Sequence, residues 1–335
     1  DLQGAYVIPG LIDVHFHGNS GEDFSVTDLE GLTKIAGYLA KNGITSFAPA
    51  SMTMPEEVLK PAYENAVRFR DLQPQGTARI LGINMEGPYF SREKKGAQAE
   101  EYLRLPDYAM FERLHQASDG LLKIVCIAPE LPGALEFIEK VKDRCTVSIA
   151  HTAADYETAK KAIAAGATQV THLYNAMIPF LHRAPRVIGA AAESKQVLAE
   201  LICDGVHVHE SVIRATFAMF SAERIILVSD SLSCLGMPEG VYESGGQKIY
   251  MRKGAATLED GTFAGSTTNL FQCMRRAISF GIRPEDAVRA ASINPARALK
   301  ADMNAGSIMP GKSADFVICD RDFNIKKCYI SGVPV

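Results

Sequence analysis

The chain has 335 residues, of which 47% are hydrophobic and 22% are charged, and its formal net charge is −4 at pH 7. A chain of this length can bury a large core, and α/β barrels of this size commonly form one domain. The mildly acidic balance argues against nucleic acid or an anionic membrane as a partner, and no apolar run reaches the roughly 18 residues that a membrane span requires.

The first predicted strand ends in two histidines. Residues 7–18 read VIPGLIDVHFHG, an apolar and partly β-branched run followed by His15 and His17. Successive side chains of a strand point to opposite faces, so these two imidazoles are expected to point the same way. They would form half of a metal site, although hydrogen bonds at a strand end could also explain such a pair.

The next part of the chain alternates helices with apolar strands. Further strands are predicted at 44–49, 79–85, 122–128, 145–150, 168–171, 198–203 and 225–229. Helices are predicted at 28–42, 55–69, 107–117, 133–141, 156–165 and 211–220. Eight strands without clean polar alternation, connected by helices, predict an α/β protein with a (β/α)8 TIM-type barrel.

The pattern changes after residue 230. Glycine-rich segments at about 237–262 predict a β-hairpin insertion, and helices are predicted at 270–280 and 284–299. Two final strands, 315–320 and 325–331, cannot bury a face alone. The chain is therefore divided into a barrel at 1–305 and the C-terminal strands of a small β-domain at 306–335.

The start of the chain and the cysteines add two expectations. The sequence begins with Asp1, and residues 6–12 already read as one interior strand, so we expect a preceding segment to be missing and to complete the small domain. No signal peptide is recognisable. Seven scattered cysteines without a CxxC spacing indicate reduced thiols in a cytoplasmic protein, and none is a good metal-ligand candidate.

Polar side chains fall where the predicted strands end. The residues in such positions are His15, His17, Glu86, His151, His172, His207 and Asp230. Carboxyl ends of strands form the active-site face of such barrels. All of these residues except His207 form a set of nitrogen and carboxylate ligands without thiolate, which suits Zn²⁺ or Fe²⁺ in a hydrolytic site. The set is large enough for two metals about 3.5–4 Å apart, although each residue alone could only cap a loop or a helix.

Five segments resemble a known family. PGLIDVHFHG at 9–18 resembles the signature of the amidohydrolase superfamily. MEGPY at 85–89, THLYNAM at 171–177, DGVHVH at 204–209 and FAGST at 263–267 resemble the N-acetylglucosamine-6-phosphate deacetylases within it. The resemblance covers essentially the whole chain. It implies a metal-dependent hydrolase that releases acetate and glucosamine 6-phosphate from a small-molecule substrate, and a small domain that is a β-sandwich lacking its N-terminal strands.

The resemblance also implies roles for single residues. Glu86, His151 and His172 match the ligands of a divalent metal that all members hold, and His15 and His17 match the extra ligands of members with two metals per subunit. Asp230 matches the catalytic aspartate. Substrate contacts are implied for Ala97, Gln98, Asn175, Ala176, Arg183, His207, Phe263, Ala264 and Gly265. Arg183 is expected to reach the sugar phosphate bound by a neighbouring subunit, which implies a homodimer.

Two residues depart from the family pattern. Gln98 stands where some members carry a histidine that polarises the acetyl carbonyl; an amide can donate a hydrogen bond there but cannot titrate. Arg186 stands where glycine is expected, beside the phosphate site. It could strengthen anion binding, but we interpret it as a solvent-facing cation.

Two alternative functions are considered. A dihydroorotase-like or hydantoinase-like amidohydrolase would bridge two metals with a carboxylated lysine at the end of the fourth strand, but Pro129 and Glu130 follow that strand here. The second alternative is a barrel that binds amino-sugar phosphates without turning them over. The complete ligand set and Asp230 argue against it.

Overall fold

A computed structural model describes residues 4–335. Its strands are β1 (Tyr6–Pro9), β2 (Leu11–Asp13), β3 (Gly18–Asn19), β4 (Glu22–Asp23), β5 (Ile44–Phe47), β6 (Ala50–Ser51), β7 (Arg79–Ile80), β8 (Ile83–Met85), β9 (Leu122–Ile127), β10 (Thr146–Ile149), β11 (Gln169–Val170), β12 (Leu198–Ile202), β13 (Ile225–Val228), β14 (Gly240–Ser244), β15 (Gln247–Arg252), β16 (Ala255–Thr257), β17 (Phe263–Gly265), β18 (Phe316–Cys319), β19 (Ile325–Ile330) and β20 (Val333–Pro334). Its helices are α1 (Leu29–Lys41), α2 (Glu56–Leu72), α3 (Tyr108–Ala117), α4 (Ala134–Val141), α5 (Tyr156–Ala165), α6 (Arg186–Glu193), α7 (Glu210–Phe220), α8 (Leu270–Ser279), α9 (Pro284–Ala291) and α10 (Ile293–Ala298).

The parallel strands form a barrel. β6 and β8 to β13 make one seven-stranded parallel sheet, and β2, β5 and β7 make a second parallel sheet of three. β5 and β6 are two parts of the second barrel strand, as β7 and β8 are of the third. Backbone bonds from Asp230 N to His15 O (2.9 Å) and from His17 N to Ser231 O (2.7 Å) join the last strand to the first. The predicted TIM-type barrel is confirmed.

Both faces of the barrel strands are buried. Val125 and Leu201 belong to the larger apolar cluster, to which the helices contribute. Their sequence neighbours Ile124 and Ile202 belong to a separate, smaller cluster. Because successive strand side chains alternate between faces, the helices cover one face and the second set fills the barrel interior. This explains why the strands show no polar alternation.

The opening stretch is two strands instead of the single strand predicted at 6–12. β1 pairs antiparallel with β18 in a sheet of order β1-β18-β19-β20, while β2 pairs with β5 in the barrel. Gly10 separates them, and a Cβ atom there would lie 2.1 Å from Thr45 Oγ1. Residues 6–9 therefore lie with the small sheet, whereas the division at residue 305 into two domains stays a prediction.

Two further elements differ from the expectation. The helix predicted at 284–299 is interrupted at Ser292 (φ −133°, ψ −78°), which separates α9 from α10. Asn294 is pulled inward there, because its Nδ2 donates to the carbonyls of Ala222 and Ile225, at 2.7 Å each. The sequence reading also missed α6, and the insertion expected at 237–262 is a four-stranded antiparallel sheet, β14 to β17.

Two observations concern the protein's environment. Among residues 4–335, no helix combines the length and the apolar character that crossing a membrane requires. The seven cysteines are buried and free. Burial raises the pKa of the Cys145 thiol to about 12, so this side chain stays a neutral thiol at neutral pH.

Candidate active site

The six predicted metal ligands lie together at the carboxyl end of the barrel. His15 and His17 follow β2, Glu86 follows β8, His151 follows β10, His172 follows β11 and Asp230 follows β13. Each of the six is at most 8% exposed. Residues up to 215 positions apart in the chain (230 − 15) thus share one rim, because parallel barrel strands all end on the same face.

Glu86 lies between two groups of imidazoles. Its Oε1 is 3.1 Å from His151 Nε2 and 3.2 Å from His172 Nε2. Its Oε2 is 3.3 Å from His17 Nε2. One carboxylate can therefore contribute to both groups, as a bridging ligand of two cations would.

The second group is formed by His15, His17 and Asp230. Asp230 Oδ1 is 3.6 Å from His15 Nε2 and 3.4 Å from His17 Nε2, and the ligand atoms of the three residues all lie within 4.8 Å of one another. Ligand atoms about 2.1 Å from a tetrahedral ion lie about 3.4 Å apart, which agrees with these separations.

Two unusual contacts indicate that these residues suit cations. Within the described residues, 4–335, His15 Nε2 is buried without a hydrogen-bond partner. The Nε2 atoms of His151 and His172 face each other at 3.1 Å, an arrangement that two neutral ring nitrogens adopt readily around a shared ion. The donor set of imidazole nitrogen and carboxylate oxygen suits Zn²⁺ or Fe²⁺. The residues present therefore fit a divalent metal.

The backbone at this rim is strained. His151, His172 and Asp230 have φ values of +45°, +27° and +50°, in the left-handed region that residues other than glycine rarely adopt. Each such conformation costs on the order of 1–3 kcal/mol and persists only where the surroundings enforce it. Strain at three strand ends of one rim is typical of a functional site.

Other groups fix the orientation of the imidazoles. His151 Nδ1 lies 2.9 Å from Lys94 O, and His17 Nδ1 lies 3.0 Å from Ala50 O. His15 Nδ1 lies 2.7 Å from Glu200 Oε2. Sequence reasoning missed Glu200, although a glutamate within the apolar run of β12 is a recognisable signal, because glutamate is seldom fully buried without a partner.

Carboxylates and imidazoles at the site stabilise each other's charged forms, and two pKa shifts follow from this. Burial lowers the pKa of His15, but Glu200 and Glu86 outweigh it and hold that pKa well above its ordinary value. Burial raises the pKa of Asp230, but His17 and His15 outweigh it, so the carboxyl stays ionised at neutral pH. The carboxylates of Glu200 and Glu86, which outweigh burial and raise the pKa of His15, would also attract a metal cation.

A cleft of about 580 Å³ opens above the imidazoles. The predicted substrate contacts that line it are Ala97, Gln98, Asn175, Ala176, His207, Phe263, Ala264 and Gly265. Arg183 does not line this cleft but lies, with Arg186 and Asp155, in a separate depression of about 350 Å³. Arg92, Lys94 and Lys95, which the sequence reading did not select, add positive charge to the cleft wall.

Gln98 and His207 differ in how far they are already engaged. Gln98 Nε2 donates to Glu86 Oε2 at 2.8 Å, and Gln98 Oε1 accepts from Thr53 N at 2.7 Å. His207 Nδ1 pairs with Asp204 Oδ2 at 2.6 Å. Burial lowers the pKa of His207, but Asp204 outweighs it and the net shift is upward. His207 therefore holds a proton more strongly than a free imidazole does.

The chain is similar to proteins of known activity. Residues 6–335 match the family model described as "Amidohydrolase family". The N-acetylglucosamine-6-phosphate deacetylase of Bacillus subtilis is 36% identical over 95% of this chain and 82% of its own length. The N-acetylgalactosamine-6-phosphate deacetylase of Escherichia coli O157:H7 is 34% identical over 97% of this chain and 86% of its own.

Solved structures of N-acetylglucosamine-6-phosphate deacetylases are also similar to this chain. The N-acetyl-D-glucosamine-6-phosphate deacetylase of Mycobacterium smegmatis, solved as a point mutant in complex with N-acetyl-D-glucosamine-6-phosphate, superposes with a TM-score of 0.92. It is 33% identical, and the match covers 98% of this chain and 87% of that one. The enzyme from Pasteurella multocida superposes with a TM-score of 0.93 at 30% identity, over 100% of this chain and 88% of that one.

Proposed function

The chain belongs to the amidohydrolase family, and from this premise we propose that it removes the N-acetyl group of N-acetylglucosamine 6-phosphate, giving glucosamine 6-phosphate and acetate. One observation carries the proposal: Glu86 joins two imidazole groups, with Asp230 beside them, at the floor of a cleft. The named activities of the relatives supply the substrate class.

Members of this family hold a divalent metal. We propose that Glu86, His151 and His172 hold one ion and that His15, His17 and Asp230, with Glu86 shared, hold a second. The absence of thiolate among these residues favours Zn²⁺ or Fe²⁺. When bound, such an ion acidifies a water molecule and polarises the acetyl carbonyl oxygen.

Asp230 performs the proton transfers. Its carboxylate, ionised and nearly buried, accepts a proton from the attacking water. It then gives this proton to the nitrogen of the departing sugar amine, because an amide anion is too poor a leaving group. One residue thus acts first as general base and then as general acid.

His207 is the better of the two candidates for binding the developing oxyanion. Asp204 outweighs burial and raises the pKa of His207, which favours the protonated ring, whereas the amide of Gln98 is already engaged by Glu86 and Thr53. Gln98 then keeps Glu86 in place for the metal. Both assignments follow from which donors are free to turn toward the substrate.

The sugar phosphate is bound by the remaining cleft residues. Asn175, the backbone of Ala97 and Ala176, and the segment Phe263–Gly265 contact the sugar. Arg183, exposed and outside the cleft of its own subunit, is proposed to bind the phosphate of a neighbouring subunit in a homodimer. Arg186 is half-buried beside it, and its role is proposed to be structural, at the start of α6.

The buried free thiols fit a cytoplasmic protein.

Two rival functions are less well supported. A carboxylated-lysine bridge requires a lysine after the fourth barrel strand, but Ala128, Pro129 and Glu130 follow β9. The carboxylate that lies between the two imidazole groups is that of Glu86. A mere sugar-phosphate sensor would not require the strained Asp230 beside two histidines.

Acetate release tests the proposed function. The zinc-loaded protein should hydrolyse N-acetylglucosamine 6-phosphate much faster than unphosphorylated N-acetylglucosamine. N-Acetylgalactosamine 6-phosphate is included because one relative of 34% identity carries that activity. The proposal is contradicted if the protein hydrolyses a cyclic amide such as dihydroorotate and hydrolyses none of the sugar phosphates. Binding of a sugar phosphate without release of acetate would favour a sensor.

The Asp230→Asn variant tests the proton transfers. We expect a loss of at least about 10²–10⁴-fold in kcat, the usual contribution of general acid–base catalysis, while substrate still binds. Measurement of kcat together with substrate binding by calorimetry separates the two effects. Near-normal turnover of this variant would show that another residue moves the proton.

A further inference from the structure

We propose that Glu200 is the positioning residue of the second metal position: its carboxylate holds His15 with Nε2 facing Asp230 and Glu86, and its charge makes that nitrogen a stronger ligand. This inference rests on the metal-dependent function proposed above, and it adds a residue that does not itself contact metal or substrate.

Glu200 is a fully buried carboxylate within β12. Its Oε2 accepts from His15 Nδ1 at 2.7 Å and from the backbone N–H of His172 at 3.2 Å. Its Oε1 accepts from Gln169 Nε2 at 2.6 Å. Among residues 4–335, its charged partner is a histidine and neither a lysine nor an arginine. A buried charge of this kind is costly, so its retention indicates a use.

The contact fixes which nitrogen carries the hydrogen when the His15 ring is neutral. An ionised carboxylate can only accept hydrogen bonds, so the hydrogen of the neutral ring lies on Nδ1 and the lone pair lies on Nε2. That Nε2 is buried and has no hydrogen-bond partner in the described part of the chain. It is 3.4 Å from Glu86 Oε1 and 3.6 Å from Asp230 Oδ1. A lone pair among carboxylate oxygens is unfavourable on its own but is well placed to share a cation with them.

The effect is specific to one metal position. His17 and His151 direct their second nitrogens to neutral backbone carbonyls, those of Ala50 and Lys94. His15 alone among these three faces a carboxylate, which makes its other nitrogen a stronger ligand. Loss of the Glu200 charge should therefore weaken the ion held by His15 and His17 and spare the ion held by His151 and His172.

The variant Glu200→Gln removes the charge and keeps the shape. Gln169 Oε1 is buried without a partner, so rotation of that side-chain amide lets it accept from the new amide at 200. At zinc concentrations buffered by a chelator, we expect the affinity of one of the two positions to fall about 10–100-fold, and the metal-to-protein ratio to fall from two to one. Elemental analysis and a zinc-binding isotherm measure this.

Asp23→Asn is the matched control. Asp23 is also a buried carboxylate, but it accepts from Ser25 N at 2.8 Å and Ser244 Oγ at 2.6 Å and contacts none of the proposed ligands. This variant should still bind two ions. Unfolding midpoints of both metal-free variants show whether either change damages the fold.

A second comparison separates positioning from a general structural role. In a His15→Asn background, Glu200→Gln should cause no further loss of zinc affinity, because Glu200 acts through His15. The proposal is overturned if Glu200→Gln retains both ions with unchanged affinity, if it weakens both positions equally, if the losses add in the double variant, or if the unchanged protein holds a single ion at saturating zinc. These outcomes do not depend on acetate release, so a failure of the substrate assignment would be recognised separately.

Discussion

At the scale of single residues, the chemistry depends on which side chains are already paired. Gln98 and His207 both line the cleft, but the first is bonded to Glu86, whereas for the second Asp204 outweighs burial and raises the pKa. The pair Asp204–His207 contributes stability that is lost as pH rises through the raised pKa of His207, and also as pH falls through the lowered pKa of Asp204.

The Asp204–His207 pair predicts a pH dependence. Since Asp204 raises the pKa of His207 above 6.5, Asp204→Asn should let His207 lose its proton at lower pH. The alkaline fall in kcat/KM should then begin at lower pH, so that the variant loses more activity at about pH 8 than at about pH 6. Profiles of kcat/KM between about pH 5.5 and 9 measure this.

Asp107→Asn serves as the control, because Asp107 caps α3 outside the cleft and should leave the profile unchanged. An unchanged profile for Asp204→Asn would mean that His207 does not act in its protonated form.

At the scale of elements, the candidate site and the contacts that hold the helices lie in different parts of the barrel. The carboxyl ends of the strands carry the strained candidate ligands, while Asn294 bonds α10 to the start of β13, away from the cleft. The sheet β14–β17 contributes to the cleft. Its strand β17 supplies Phe263–Gly265 to the cleft wall, and Gln247 of β15 donates a hydrogen bond to Ala97 O, which lines the same cleft.

This separation predicts a change in stability without a change in chemistry. Asn294→Ala leaves two buried carbonyl groups without their donors and should lower the free energy of unfolding by about 1–3 kcal/mol. Activity per folded molecule should stay unchanged. Thermal and urea unfolding, compared with activity at low temperature, measure both.

Asn324→Ala is the matched surface variant, since Asn324 is exposed and bonded to Asp320, and it should change stability by less than about 0.5 kcal/mol. Equal stability of the two variants would show that the bonds of Asn294 are not needed to hold α10.

At the scale of the whole molecule, the exposed segment around Arg183 bears on the proposed homodimer. Arg183 is exposed and outside the cleft, while Phe180 and Leu181, on the same segment, are 46% and 55% exposed. Apolar and cationic side chains exposed together fit a contact with a second subunit.

Mixing two inactive variants tests this arrangement. If Arg183 acts on the neighbouring subunit, a mixture of Arg183→Ala and Asp230→Asn subunits should regain about a quarter of the wild-type activity, because half of the dimers are mixed and each of these has one intact site. Each variant alone should have little activity. Light scattering establishes the dimer, and an absence of regained activity in proven mixed dimers would place Arg183 in its own subunit's site.

The sequence alone determined the barrel and the candidate ligands. Alternation of apolar strands with helices is local information, and so is the place of His15, Glu86 and Asp230 at strand ends; parallel strands bring such ends to one face whatever the details of packing. The family resemblance rested on the same strand-end segments, which is why the family match agreed with it.

The tertiary structure decided the rest, because it depends on contacts between residues far apart in the chain. The pairing of Tyr6–Pro9 with Phe316–Cys319, the break between α9 and α10, and the engagement of Gln98 by Glu86 have no local signal that fixes them. Glu200 is the clearest case: its charge is visible in the sequence, but its partner His15 lies 185 positions away. Only the closed barrel brings the two side chains within hydrogen-bond distance.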